Sequence, residues 1–192
     1  MTDRPLIVGM GGTTRPGSTS ERALAAALRR AEALGCDTRL FGAGAMPVEP
    51  YDPTRADRSP QARALIDALR NADGVIIATP AYHGSISGLV KNAIDFVEDL
   101  REAERVYFEG RAVGCIVCAD GPQAMGSTMM ALRAITHSLR GWPTPYGATI
   151  NSRDRPFGGD DAQADPAAVR ACEMVAEEVV TFVRMRVGGS RA

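Results

Sequence analysis

The 192-residue sequence lacks an excess of charge of either sign, because 22 lysine and arginine residues stand against 23 aspartate and glutamate residues. Nucleic acids and anionic membranes attract proteins with a marked positive balance, so neither is expected as a partner. No apolar run approaches the length that crosses a membrane, and residues 2–5 lead into a short strand rather than into a secretory hydrophobic segment. We therefore expect a cytoplasmic protein.

Cysteine and histidine are also scarce, with four and two copies. Cys115 and Cys118 have the spacing of a redox or zinc pair. They lie in an apolar run that predicts a strand, however, and residues three apart on a strand point to opposite faces. No second close pair of Cys or His is present to complete a zinc site. We interpret the thiols as small buried apolar groups and expect no metal.

A Ser- or Pro-rich linker is missing as well, and the hydrophobic fraction of 45% and the charged fraction of 23% are ordinary for a globular protein. A chain of this length suits one domain with a sizeable core. We predict a single domain over residues 1–192, with its core at about residues 5–187.

The sequence does contain a regular alternation of strand and helix patterns. Short apolar, β-rich runs are followed by stretches with apolar residues at helical spacing. This alternation predicts a parallel sheet with right-handed crossovers and helices on both faces. The predicted strands are residues 6–10, 36–41, 75–78, 112–118 and 146–150, and the last predicted helix is 166–187.

The first loop, residues 11–20, is rich in glycine and hydroxyl groups. Ser18 and Glu21 predict a capping box at the start of the next helix, and Gly35 predicts its end. Arg15, five hydroxyls and the positive end of the helix dipole suit a phosphate dianion. A P-loop is excluded because no Gly-Lys-Ser/Thr is present, and the third glycine of the dinucleotide fingerprint is missing. A tight strand-to-helix turn is the alternative interpretation.

A second loop is predicted after the third strand, which we expect to stop at Thr79-Pro80. Pro80 cannot donate to a sheet ladder, and the glycines and serines at 84–88 disfavour a regular element. A helix with apolar residues at helical spacing follows, through Leu89, Ala93, Phe96 and Leu100. A third loop that contains glycine, residues 119–127, follows the fourth strand.

Two of these loops resemble one known family. The second loop and its helix resemble the second flavin loop of the NADPH-dependent FMN reductase family in the string Pro80-x-Tyr82-x-Gly84-Ser85 followed by Gly88-x-x-Lys91-Asn92-x-x-Asp95. The first loop is similar to the same family's phosphate loop, Gly-Ser-x-Arg-x-x-Ser-x-Asn, in the string Gly12-Thr13-x-Arg15-x-x-Ser18-x-Ser20. Thr13 and Ser20 replace Ser and Asn but keep a hydrogen-bonding side chain. The resemblance spans about residues 6–150.

Together with the alternation, the resemblance implies a flavodoxin-like doubly wound α/β fold, a five-stranded parallel sheet of order 2-1-3-4-5. In that order the loops after strands 1, 3 and 4 meet at the topological switch point, where open α/β sheets bind ligands. The resemblance also implies FMN as the cofactor and NADPH or NADH as the co-substrate. The residues expected to bind FMN are Thr13, Arg15, Ser18, Thr19, Ser20, Pro80, Ala81, Tyr82, His83, Gly84, Ser85, Asp120 and Gly121.

The side chains of a flavin reductase need not take part in the redox chemistry, since FMN carries the electrons from NAD(P)H to a second acceptor. We therefore assign no catalytic acid or base. Free flavin, a quinone, an azo compound and a monooxygenase partner are all open as the acceptor. A non-enzymatic flavodoxin-type electron carrier is an alternative that the net charge of −1 disfavours. A flavin-free α/β binding module is another.

The second loop departs from the family's frequent Pro-Glu-Tyr-Asn-Gly-Ser-x-Pro-Gly at Ala81, His83 and Ser87. Flavin binding is expected to survive these changes because the family's contacts there are largely to the backbone, but the substrate preference stays open. Tyr82 is expected to pack beside the flavin or to line the nicotinamide pocket. His83 either donates to the flavin or faces water.

The helix after the second loop has a wide apolar arc, formed by Leu89, Val90, Ala93, Ile94, Phe96, Val97 and Leu100. One sheet contact does not need so wide an arc, so we expect a second cover for part of it. Members of the resembled family bury this helix against a symmetry mate, which implies a homodimer or a dimer of dimers. We assign no chemical role to two other segments. One is the loop 42–58, and the other is residues 98–105, which we interpret as a solvated helix end.

Overall fold

The computed structural model describes residues 4–158 and 163–189, and in this part of the chain strands alternate with helices. The strands are β1 (Leu6–Gly11), β2 (Asp37–Phe41), β3 (Gly74–Tyr82), β4 (Ser85–Ile86), β5 (Ala112–Ala119) and β6 (Trp142–Asn151). The helices are α1 (Thr19–Ala33), α2 (Pro60–Asn71), α3 (Gly88–Asp95), α4 (Pro122–Ser138) and α5 (Pro166–Gly189). Short 3-10 turns cover Phe96–Leu100 and Ser152–Asp154. Thr2 and Asp3, expected to precede the first strand, lie outside the described residues.

The five long strands form one parallel sheet of order β2-β1-β3-β5-β6, and β4 pairs antiparallel with the end of β3. Without the two-residue β4 this is the predicted order 2-1-3-4-5, so the flavodoxin-like doubly wound fold is confirmed. Helices α1 and α5 cover one face of the sheet, and α2, α3 and α4 cover the other. This double cover buries every residue of β5, which explains its continuous apolar sequence.

The cysteines of β5 show the two faces directly. Cys115 packs in the core beneath α2, α3 and α4, whereas Cys118 packs in the core beneath α1 and α5. The two side chains therefore lie on opposite sides of the sheet, as strand alternation predicted. Burial raises the pKa of the Cys115 thiol to about 11, so this thiol stays protonated at neutral pH.

Strand β3 continues to Tyr82, so the prediction that it stops at Thr79-Pro80 is wrong. Pro80 pairs with Cys118 of β5 on one side. The backbone groups of Pro80, like those of Ala78, point toward the side on which β1 lies. There the Ala78 carbonyl accepts from Gly12 N–H at 3.1 Å. Because β1 has already ended at Gly11, no strand on that side requires an N–H from Pro80.

Other predicted boundaries move for local reasons. Helix α4 begins at Pro122, a favoured first position, so only Asp120 and Gly121 remain of the predicted third loop after β5. Strand β6 begins at Trp142 rather than at Tyr146, because a bulge opposite β5 accommodates two extra residues. The predicted central helix is α-helical only to Asp95 and continues as a 3-10 turn.

The apolar arc of α3 is already covered inside the single chain. Val90 and Ala93 have relative exposures of 0%, and Ile94 has 3%. Phe96, Val97 and Leu100 of the following turn are buried as well, and only Leu89 is partly exposed. The expectation that this arc needs a second cover is therefore wrong, and the dimer itself stays a prediction.

The loop 42–58 is fixed against α3 and the turn after it. Arg58 donates two hydrogen bonds to the Asp99 carboxylate, at 2.7 and 2.8 Å, and its guanidinium lies over the rings of Tyr51 and Phe96. The Asn92 amide also bonds the loop backbone at three points. Asp99 was expected on a solvated helix end, but it is a half-buried anchor for this loop.

We expect Gly11→Ala to destabilise the fold, because a Cβ at Gly11 would lie 1.9 Å from the Ala78 carbonyl oxygen and the φ angle there is +149°. The free energy of unfolding should fall by about 2–4 kcal/mol in urea denaturation. Gly88→Ala is the matched control, since a Cβ there meets no heavy atom within 4 Å. Unchanged stability of Gly11→Ala would contradict the close approach of β1 and β3.

Candidate functional site

An open cavity of about 300 Å³ lies at the carboxyl edge of the sheet, where β1, β3, β5 and β6 end. Strands β1 and β3 are neighbours, but the helices that follow them, α1 and α3, pack on opposite faces of the sheet. The segments that leave the two strands therefore diverge, and a crevice lies between them. The cavity is lined by Thr13, Arg15, Ser18, Thr19, Ser20, Pro80, Ala81, Tyr82, Cys118, Ala119, Asp120 and Ser152.

A larger groove of about 570 Å³ lies at the opposite, amino end of β6, against α5. Its walls are mainly apolar, and they include Trp142, Phe182 and Met185. We place the functional site at the strand ends, because backbone donors, hydroxyls and a cation converge there, whereas the larger groove offers mostly packing surface.

The first loop leaves β1 through Gly11 and Gly12, both with positive φ, and enters α1 at Ser18. The Thr13 hydroxyl accepts from Arg15 N–H at 3.0 Å and donates to the Arg15 carbonyl at 3.1 Å, which closes a local turn. The Ser18 hydroxyl accepts from Glu21 N–H and caps α1. The loop therefore holds its hydroxyls close to the first turn of the helix.

This end of the cavity is suited to an anion. The N–H groups of Thr19 and Ser20 belong to the first turn of α1 and have no helical acceptor. The Arg15 side chain is exposed and forms no ion pair with any described residue. Together with the positive end of the helix dipole, these groups offer several charge-assisted donors to one phosphate.

Only half of the predicted capping box is present. Ser18 caps the helix, but the Glu21 carboxylate does not return to the N-cap residue. One of its oxygens accepts from Gly17 N–H at 2.6 Å, and the other accepts from Ala43 N–H at 3.1 Å. Glu21 therefore joins the first loop to the loop that follows β2.

The wall opposite the first loop is a short hairpin made by β3 and β4. His83 and Gly84 form its two-residue turn, with φ of 53° and 81°, the sign that a type I′ turn requires. At its base, the Thr79 hydroxyl accepts from Ser87 N–H at 3.1 Å, and Ser87 caps α3. The hairpin thus replaces the ordered loop that the sequence predicted, and Ser87 anchors it.

The structure brings most of the predicted residues together, but not all. His83, Gly84, Ser85 and Gly121 do not line the cavity, because the first three lie at the hairpin tip and Gly121 turns into α4. Cys118, Ala119 and Ser152 line it but were missed. Ser152 directly follows β6, the strand next to β5, so the predicted sheet order already placed it at the carboxyl edge of the sheet, near the cavity.

The cavity contains little that can act as a nucleophile or a base. Cys118 is 2% exposed, and burial raises the pKa of its thiol far above neutrality. Asp120 is exposed at the rim. Within residues 4–158 and 163–189, no cluster of His, Cys, Asp and Glu is arranged to hold a metal ion. The site is built to bind and orient a ligand.

A doubly wound sheet with a helix start exposed to a cavity at its switch point defines an α/β protein of the flavodoxin-like class. The model of the NADPH-dependent FMN reductase family matches residues 5–154. The chain therefore belongs to this family, whose members are oxidoreductases that use FMN and NAD(P)H.

Curated relatives agree with this membership. The chain is 27% identical to an iron-sulfur flavoprotein of Archaeoglobus fulgidus over 78% of this chain and 84% of that protein. It is 29% identical to an FMN-dependent NADPH-azoreductase of Staphylococcus aureus, but the match covers only 58% of this chain and 57% of the azoreductase.

Among solved structures, the NAD(P)H:(acceptor) oxidoreductase FerB of Paracoccus denitrificans superposes with a TM-score of 0.72 at 20% identity, over 94% of this chain and 98% of that one. The apo form of an NADH:FMN oxidoreductase, EmoB, gives 0.65 at 21% identity, over 94% and 89%. These likenesses support the fold alone.

The donor set at the cavity fits FMN. The helix start and Arg15 suit the phosphate, and the backbone of Pro80 to Tyr82 and of Ala119 and Asp120 offers donors and acceptors for a flat polar ring. Gly11 and Gly12 let the first loop pass close to its neighbours beside the crevice, since a Cβ at Gly11 would meet the Ala78 carbonyl and one at Gly12 would meet the Glu21 side chain. FMN binding by each individual residue stays a prediction.

We expect His83→Asn to leave flavin affinity unchanged, because the His83 ring is exposed and does not line the cavity. Asn-Gly is the favoured pair for this hairpin turn, so stability should rise by less than about 1 kcal/mol. Gly84→Val is the contrasting variant, since a branched residue is strained at a φ of 81°, and it should lower flavin occupancy. Flavin titration by fluorescence measures both, and weaker binding by His83→Asn would assign the ring a direct role.

Proposed function

We propose that the whole chain is one FMN-binding domain that takes hydride from NAD(P)H and passes the electrons to a small-molecule acceptor. The observation that carries this proposal is the convergence of three strand-end loops on one cavity, with phosphate donors at one end and the hairpin wall at the other. Bound FMN would supply the redox chemistry, accepting electrons as a pair and releasing them to the acceptor.

The residues of the chain serve as binding and orienting groups. Thr13, Arg15 and the first turn of α1 would hold the phosphate, and the hairpin and the end of β5 would border the ring. Tyr82 is 53% exposed at the rim, so its ring is accessible to a planar molecule that stacks at the mouth of the cavity. The Thr79–Ser87 hydrogen bond keeps the hairpin in place.

A small planar acceptor agrees best with this open mouth. Quinones, azo compounds and free flavin all share a flat conjugated ring system, and the Staphylococcus aureus relative is by name an azoreductase. A monooxygenase partner would instead receive reduced flavin. Steady-state rates with a quinone, an azo dye and free FMN, each at matched concentration, rank these acceptors.

A flavodoxin-type electron carrier is the second candidate. Electron carriers rely on strong surface charge to find their partners, and the net charge of −1 offers little of it. Stopped-flow mixing of the FMN-loaded protein with NADPH and with NADH separates the two functions. Rapid bleaching of the flavin band supports the reductase, and an oxidised flavin after minutes with both nucleotides would contradict it.

We expect Arg15→Ala to weaken FMN binding by about 1.5–3 kcal/mol, the value of a charge-assisted hydrogen bond to phosphate. Arg153→Ala is a matched control, because Arg153 is also exposed and lies next to Ser152 but does not line the cavity. Isothermal calorimetry with FMN gives both affinities. An unchanged dissociation constant for Arg15→Ala would remove this residue from the phosphate site.

We also propose that the protein is a homodimer or a dimer of dimers, formed through α4 rather than through α3. Helix α4 contains one formally charged residue, Arg133, and this side chain is turned toward the Thr144 carbonyl. Its outward face is therefore uncharged, and Met130 on that face is 70% exposed. Depletion of charge with an exposed Met is typical of the centre of a protein interface.

Met130→Glu should produce a monomer of 20.3 kDa in sedimentation equilibrium at micromolar concentration, whereas the wild type should have at least about twice that mass. Met185→Glu is the control, because Met185 is 63% exposed on α5, away from α4. A wild type that sediments as a monomer would contradict the dimer.

A cytoplasmic location is part of the same proposal. The co-substrate NAD(P)H is a cytoplasmic reductant, and the four cysteines are free and buried, as suits a reducing compartment. Cell fractionation tests it, since recovery of the protein with the periplasmic or membrane fraction would contradict it.

A further inference from the structure

Residues 14–17 of the first loop are all exposed. Thr13 and Arg15 bond only to each other in this loop. Among the hydrogen bonds of the described residues, the bond from Gly17 N–H to the Glu21 carboxylate, at 2.6 Å, is the one that joins residues 14–17 to anything outside the loop. The position of the loop therefore depends strongly on Glu21.

The second oxygen of the same carboxylate accepts from Ala43 N–H at 3.1 Å. Ala43 begins the loop after β2, and that loop is anchored in turn through Asn92 and Arg58. Glu21 therefore connects the exposed side of the crevice, residues 14–17, to a segment that is fixed on the body of the protein. A carboxylate suits this position because both of its oxygens accept.

Two glycines leave the space that the Glu21 side chain occupies. A Cβ at Gly42 would lie 2.2 Å from the Glu21 carboxylate oxygen, and a Cβ at Gly12 would lie 3.2 Å from the Glu21 Cβ. Gly42 does not have a positive φ, so its backbone conformation is open to any residue. The Glu21 carboxylate is thus the main obstacle to a side chain at position 42.

We propose that Glu21 is a positioning residue for the flavin phosphate: its carboxylate clamps Gly17 to Ala43 and so sets the distance between Arg15 and the N–H groups of Thr19 and Ser20. Glu21 itself is negatively charged and does not bind the phosphate. Its contribution through geometry exceeds the repulsion that its charge exerts on the ligand. This inference rests on the proposed function, because it takes FMN as the ligand.

Calorimetry with FMN and with riboflavin, which lacks the phosphate, tests the clamp. Glu21→Ala should bind FMN about tenfold or more weakly, because the donors lose their fixed spacing. Its affinity for riboflavin should stay at the wild-type value, which also shows that the site is folded. Glu32→Ala is the control on the same helix, since Glu32 is exposed and its carboxylate accepts only from the Thr38 hydroxyl, and it should change neither affinity.

Gly42→Ala provides the second arm, because it displaces the Glu21 carboxylate without removing its charge. We expect the same selective loss of FMN affinity. The clamp is overturned if both variants bind FMN like the wild type, or if both lose FMN and riboflavin in parallel, as a purely structural role predicts. Tighter FMN binding by Glu21→Ala with no change in Gly42→Ala would overturn it too, since the carboxylate would then act only as a repulsive charge. A wild type that binds neither flavin would instead contradict the proposed function.

Discussion

The close approach of β1 and β3 at their carboxyl ends is the constraint on which the site depends. Gly11 lies so near the Ala78 carbonyl that a Cβ has no space, and Gly12 N–H bonds the same carbonyl at 3.1 Å. Beyond this point the two segments separate: the segment after β1 runs toward α1, and the end of β3 runs into the hairpin. The crevice, the position of the start of α1 beside it and the position of Pro80 all follow from this separation.

The fold was predictable from the sequence because its strands are continuous apolar runs between clear helix patterns. A buried parallel strand such as β5 leaves this signal on its own. The boundaries were less predictable, since Pro80 is tolerated within β3 only because β1 ends first, which is a property of the neighbouring strand. The bulge in β6 likewise depends on its pairing with β5.

Site residues were predictable where a local motif carries them. Arg15, Ser18 and Ser20 line the cavity, and the strand-loop-helix motif that contains them is continuous in sequence. His83 and Gly84, which were expected among the FMN-binding residues, form the tip of a hairpin and do not line the cavity. Ser152 was missed as a lining residue, since its position depends on the packing of segments far apart in sequence.

The apolar arc of α3 shows how a sequence pattern can mislead about partners. Its width suggested a second subunit, but the loop 42–58 and the sheet bury it within one chain. The uncharged outward face of α4 is harder to recognise in the sequence as a candidate interface, because it is defined by missing charge rather than by a run of apolar residues.

No described helix has the length and apolarity that a membrane crossing demands.

The central claim is that the start of α1 binds the phosphate of FMN while the hairpin borders its ring. A crystal structure of the protein with FMN tests this most directly. The account predicts the phosphate within hydrogen-bonding distance of the Thr19 and Ser20 N–H groups, with the ring between Tyr82 and Asp120. Flavin density in the apolar groove beside Trp142, or a phosphate directed away from α1, would contradict it.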